Sequence, residues 1–141
     1  MMDCVFCRIA KGEISSTVVY EDERVVAFLD ISPLNWGHTL VVPKSHCCKL
    51  WECQDEDLAA LARAVKKLVL AVQQAVDADG INVVQNNGRA AEQIVPHVHF
   101  HVIPRFDGDG YELPHSKKSY GQGEAEELGK RIAEKLGAGG P

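Results

Sequence analysis

The sequence predicts a single α+β domain: a mainly antiparallel five-stranded sheet with one long helix and a C-terminal helix. Three observations carry this. Short apolar runs bounded by turn residues fill the first third of the chain, with connections too short for parallel crossovers. One long stretch in the middle repeats its apolar residues at the helical period. Two more strand-like runs follow it. At 141 residues the chain has the size of one domain, taken as 1–141, with a core over about 4–105 and a loop plus terminal helix over 106–141.

Thr17-Val18-Val19-Tyr20 and Val25-Val26-Ala27-Phe28-Leu29 flank the acidic turn Glu21-Asp22-Glu23-Arg24 and read as a hairpin. Pro33-Leu34-Asn35-Trp36-Gly37 is a loop by its Pro and Gly, and it leads into a third strand, His38 to Val42, closed by Pro43. From Asp55 to about Ala78, Leu58, Leu61, Val65, Leu68, Val69, Val72 and Val76 recur at separations of three and four, the stripe of a helix packed on a core. Asp55 is the expected N-cap and Asp79-Gly80 the expected stop. Ile81 to Gln85 reads as a strand, Asn86 to Glu92 as a polar loop, and His97 to Ile103 as the last strand. Arg105 to Gly123 has the Gly, Asp, Ser and Lys content of a mobile loop, and Glu124 to Leu136 that of a terminal helix.

With 45% apolar and 25% charged residues the chain reads as an ordinary globular protein, and no apolar run approaches the roughly 18 residues of a membrane span. The start Met1-Met2-Asp3-Cys4 has no secretory pattern, so a cytoplasmic location is expected. A net charge of −5 argues against a broad nucleic-acid-binding face but leaves room for a single nucleotide. In such a compartment the five cysteines are expected as free thiols or metal ligands rather than disulfides.

His97-Val98-His99-Phe100-His101 alternates imidazoles with apolar side chains, so a strand would present all three rings on one face. This could be coincidence on a half-exposed face, although buried imidazoles need hydrogen-bond partners. The three could all ligate one catalytic metal, but positions four apart on a strand are separated by roughly 13 Å, against metal–nitrogen bonds of about 2 Å. The third reading divides the work: one end ring is structural, His99 attacks phosphorus, and the far ring handles the phosphate or leaving group. Cys4-Val5-Phe6-Cys7 has the spacing with which one tight turn offers two thiolates to a zinc. His46 and His97 could complete a closed, structural Cys2His2 set, with Cys47, Cys48 or Cys53 as competing sulfurs.

The histidine run, together with Phe28-Leu29-Asp30-Ile31-Ser32-Pro33, Gly37 to His46, Asn86-Asn87-Gly88 and Ile103-Pro104-Arg105, resembles the histidine-triad (HIT) nucleotide-binding proteins, in the same order, over roughly Cys4 to Arg105. The resemblance implies a nucleotidyl hydrolase or transferase cleaving at the α-phosphate of adenine nucleotides, either phosphoramidates or dinucleoside polyphosphates, through a nucleotidyl-His99 intermediate. By position His101 contacts phosphate and leaving group, His38 is a fourth histidine near the nucleophile, and Gln93 joins both the catalytic and the nucleotide-binding set. Asp30 matches a ribose-binding acid, Phe28 and Ile31 a purine pocket, and Asn86 a polar residue near the phosphate. In the family's zinc-containing, prokaryotic-type branch the ligands resemble Cys4, Cys7, His46 and His97. A homodimer with a ten-stranded sheet is implied as well. Where many relatives carry Gly-Gln-Ser or Gly-Gln-Thr, this chain has Glu92-Gln93-Ile94: Ile94 offers no hydroxyl, and Glu92 adds a carboxylate near the phosphate. Those departures raise the alternative of a nucleotide-binding module with little turnover; a metal-dependent hydrolase that uses the triad as ligands is a further reading.

Overall fold

The structure, a computed structural model, describes residues 3–112 and 117–138. Residues up to Tyr111 form one compact unit, and a second begins at Glu112. The first contains helix α1 (Val5–Ala10), strands β1 (Val18–Glu21), β2 (Val25–Leu29) and β3 (Thr39–Pro43), helix α2 (Asp55–Val76), and strands β4 (Gly80–Gln85) and β5 (Phe100–Arg105). The second contains helix α3 (Glu124–Ala138). No helix among the described residues is long and apolar enough to cross a membrane.

The five strands form one antiparallel sheet in the order β1-β2-β3-β5-β4. Along β2 and β3 every residue but Leu29 is buried, which an antiparallel sheet shows only when both faces are covered. Val25, Ala27, Val41, Val98 and Val102 point to the α2 side, where they meet Ala60, Leu61, Ala64, Leu68 and Val72. Val26, Phe28, Leu40 and Val42 point the other way and pack with Cys4 and Phe6. The α2 stripe lies where its period places it, and each fully buried aliphatic such as Leu61 contributes about 2 kcal/mol.

Local chemistry sets the connections. Asp22 closes the β1–β2 turn by accepting the Arg24 and Val25 amides at 2.8 and 2.9 Å. Buried Asp57 in the first turn of α2 pairs with Arg24 at 2.8 Å, tying that helix to the hairpin. Gln54 rather than Asp55 holds the N-cap position of α2, without a side-chain capping bond, Asp55 is the first helical residue, and the helix ends at Val76, where Asp77 turns left-handed at φ 54°. The stop therefore comes before Asp79-Gly80.

Three expectations need correction. Helix α1 was not foreseen: Cys4 is its N-cap, so the Cys-x-x-Cys segment is a helix start rather than an isolated turn. Regular pairing of the last strand begins at Phe100, because at Val98 the chain instead gives its amide to the Cys47 carbonyl at 2.8 Å. The start of the expected mobile loop is held, since Arg105 grips Asp109 at 2.8 and 2.9 Å and lies 4.5 Å from the Tyr111 ring. Residues 113–116 of that loop lie outside the described residues.

Candidate active site

His99 sits just before β5 and is almost completely buried. Its Nδ1 lies 2.8 Å from the His97 carbonyl oxygen, which can only accept, so Nδ1 carries the proton and Nε2 keeps its lone pair. The edge of the Phe6 ring, 5.1 Å away between centroids, holds the imidazole in place. Burial pushes the His99 pKa below its ordinary value, more than the carbonyl bond and Asp30 raise it. A neutral, oriented imidazole with one free nitrogen is a nucleophile ready at neutral pH.

The same logic fixes two more rings. The Leu34 amide donates to His38 Nδ1 at 3.1 Å, so the His38 proton is on Nε2. That proton is directed at His101 Nδ1, 2.9 Å away, which leaves His101 with its own proton on Nε2. His101 lines a cavity beside His99, with 4.9 Å between ring centroids. Burial, with His99 and His38 close by, lowers the His101 pKa to about 4, and burial lowers that of His38 against the pull of Asp30. The neutral state of this pair lets one hydrogen-bond direction run from the Leu34 amide to the cavity.

The cavity has a volume of about 510 Å³. His99, His101, Asp30, Phe28 and Ile31, named as site residues from the sequence, all line it, and so do Phe6, Ile9 and Ile14, which were not named. The missed signal was the three-residue spacing of Phe6 and Ile9, which puts both on one face of α1. Asp30 accepts the Ser32 amide at 2.8 Å with one oxygen and lies 3.6 Å from His38 Nε2 with the other.

Neither Asn86, Gln93 nor His38 lines the cavity. Asn86 follows directly on β4. Gln93 is buried, its oxygen accepting from the Gly88 amide at 2.8 Å and from Lys49, its nitrogen donating to the Cys48 and Val95 carbonyls. With those bonds made, the side chain braces the loop and keeps nothing for a substrate. The connection between β3 and α2 holds a disulfide, Cys47–Cys53, contrary to the expectation of free thiols. The pairing follows from the fold: the short helical turn Leu50–Glu52 doubles the chain back and brings the two Cα atoms to 5.3 Å. Cys48 remains free.

A second cluster lies on the other side of His97. The donor atoms of Cys4, Cys7, His46 and His97 all lie within 4.8 Å of one another. His97 Nε2 donates to the Pro43 carbonyl at 2.8 Å, so its Nδ1 lone pair faces the cluster. Burial and the neighbouring Cys4 push the Cys7 thiol up to about 11, a protonated state that a bound divalent cation would reverse. Two thiols and two ring nitrogens converging in this way fit a tetrahedral zinc with no open position. Asp30, His38 and His101 also converge. They fit a cation poorly, because His38 Nε2 bears the proton that the Leu34 bond assigns to it. The triad therefore does not surround one point: His97 belongs to one cluster, and His99 and His101 to the cavity.

Residues 11–108 match the HIT domain family. The chain belongs to the HIT family. It is 42% identical over 137 residues to an adenosine 5'-monophosphoramidase of Schizosaccharomyces pombe, covering 96% of this chain and 99% of that one. A crystal structure of a HIT family member from Bacillus subtilis superposes with a TM-score of 0.90 at 40% identity, covering 96% of this chain and 98% of that chain. A zinc-bound histidine triad family protein from Mycobacterium smegmatis superposes at 0.74 with 35% identity, covering 98% of both chains. Within this HIT fold Glu92 and Ile94 both line the cavity, and Ile94 is 90% exposed. Glu92 holds a left-handed backbone at φ 66°, a conformation that glycine adopts without cost.

Proposed function

We propose that this HIT-family enzyme hydrolyses adenosine 5'-phosphoramidates at the α-phosphorus through a nucleotidyl-His99 intermediate. One observation carries the reading: the His97 carbonyl holds the proton of His99 on Nδ1, beside a cavity with an apolar end and a second protonated imidazole nitrogen. Phe28, Ile31, Phe6, Ile9 and Ile14 take the base, and Asp30 accepts from the ribose hydroxyls. His99 Nε2 attacks phosphorus, the phosphorus–nitrogen bond breaks, and the His101 Nε2 proton goes to the departing amine. Water then attacks phosphorus, gives a proton back to His101, and releases AMP with His99 restored. His38 positions His101 by donating to its Nδ1.

The cavity favours the amide over a dinucleoside polyphosphate. Its described lining has two carboxylates, Asp30 and Glu92, and no Lys or Arg to balance the extra charge of a polyphosphate leaving group. The phosphoramidase relative supports the same choice. The Cys4, Cys7, His46 and His97 cluster would hold a structural zinc, which supplies no chemistry but anchors the N-terminus to the chain leading into His99. A homodimer would join at β4, because the other sheet edge, β1, is broken by a shift of register between Val18 and Tyr20, whereas β4 pairs without interruption.

The test is mass spectrometry of protein mixed with an adenosine phosphoramidate and quenched in alkali. An adenylyl adduct on His99, lost together with turnover in His99→Ala, is expected. AMP binding without hydrolysis across a panel of amides and polyphosphates would replace this reading with that of a binding module.

A further inference from the structure

Glu92 is a charged residue of the cavity lining that the proposed chemistry does not use. It ends the helical turn Arg89–Ala91, where its amide donates to the Arg89 carbonyl at 2.9 Å and its backbone is fixed at φ 66°. The loop from Glu92 to Val95 leads directly into the chain carrying His97 and His99, and Glu92, Ile94, Val95 and both cavity histidines share the lining. Phe6, Ile9, Phe28 and Ile31 supply the apolar lining assigned to the base, and Asp30 is assigned to the ribose. With the base assigned to that apolar lining and the phosphorus to His99, Glu92 and Ile94 are left in the same cavity for the group that departs. This pair is an exposed sec-butyl side chain next to a carboxylate. Arg89, on the same turn, does not line the cavity, and no described salt bridge neutralises Glu92.

We propose that Glu92 is a specificity-determining residue that selects phosphoramidates whose departing amine carries a second positive charge on a short apolar spacer, such as an α,ω-diamine or a basic amino-acid side chain. The spacer would lie on Ile94 and the distal ammonium against the Glu92 carboxylate. This rests on the phosphoramidate reading above, and the experiment has a binding arm that does not depend on turnover.

Two adenosine 5'-phosphoramidates are compared, one of butylamine and one of 1,4-diaminobutane. Wild-type kcat/KM is expected to favour the diamine by about fivefold at low salt, the size of a partly exposed charge pair, and the preference should shrink as ionic strength rises. In Glu92→Gln the ratio falls to about one, and in Glu92→Lys it inverts. The same ratios are read as dissociation constants in the His99→Ala background by calorimetry. Equal handling of the two amides by wild type, or an unchanged ratio in Glu92→Gln, overturns the proposal. If wild type cleaves neither amide, the function reading falls, and the calorimetric ratio still decides the role of Glu92.

Discussion

Replacing His38 by alanine tests the chain of tautomers on which the proposed reaction depends. His38 never touches the cavity, yet it accepts from the Leu34 amide at 3.1 Å and donates to His101 Nδ1 at 2.9 Å. In His38→Ala the His101 Nδ1 loses its donor, and the proton of the neutral ring is free to move from Nε2 to Nδ1. A buried hydrogen bond of this kind contributes about 1 kcal/mol, so the fraction of His101 with its proton facing the leaving group drops severalfold, and kcat with it by about tenfold at most. KM should change little. The stability cost is larger: a buried ring is removed and the Leu34 amide is left unpaired, together about 3 kcal/mol. Steady-state kinetics and urea denaturation measure the two effects separately. His38→Gln, with an amide donor of similar reach, should recover most of kcat. A folded His38→Ala protein with wild-type kcat would refute the relay, and a loss as large as that of His99→Ala would show that His38 acts on substrate directly.

Other outcomes follow from the same structure. His99 loses its lone pair when protonated and its pKa is lowered by burial, so the acid limb of kcat/KM against pH should have its midpoint below 6.5, with a plateau through neutrality. Folding disfavours the charged form of His101, so its contribution to stability is full above pH 6.5 and is lost as pH falls toward about 4; by linkage this amounts to about 3 kcal/mol, measurable by denaturation at pH 7 and pH 4.5. Cys7→Ala should abolish metal content, about one zinc per chain, and lower the thermal midpoint, whereas His99→Ala keeps its metal; elemental analysis distinguishes them. Gly37→Ala should cost about 2 kcal/mol, because φ is 104° there and the new Cβ would lie 3.2 Å from Val76 Cγ1. Urea denaturation gives the number.

Much of the architecture could be read from local pattern. The α2 stripe, the two apolar runs around Asp22 and the alternation through the histidine run each follow from a period that only one secondary structure satisfies. That alternation survives even where regular pairing has not begun: Val98 and Val102 face α2, while the His97 and His99 rings face Phe6. The grouping of Cys4, Cys7, His46 and His97 came from the Cys-x-x-Cys spacing and the order of the family's blocks, and the fold brings their donor atoms within 4.8 Å of one another.

What the residues alone determined is which groups the protein has and which face of its element each occupies, because period and chemical type are local properties. Which atom of each group is free was decided by tertiary structure. The proton of His99 is placed by a carbonyl two residues back, that of His97 by Pro43, and that of His101 by His38, itself set by Leu34. The Gln93 amide is engaged by Gly88, Cys48 and Val95, and Cys47 was brought to Cys53 by a turn with no strong signature. Hydrogen bonds of this kind leave no period in the sequence, so only the folded chain reveals which nitrogen of each histidine carries the proton and which keeps its lone pair.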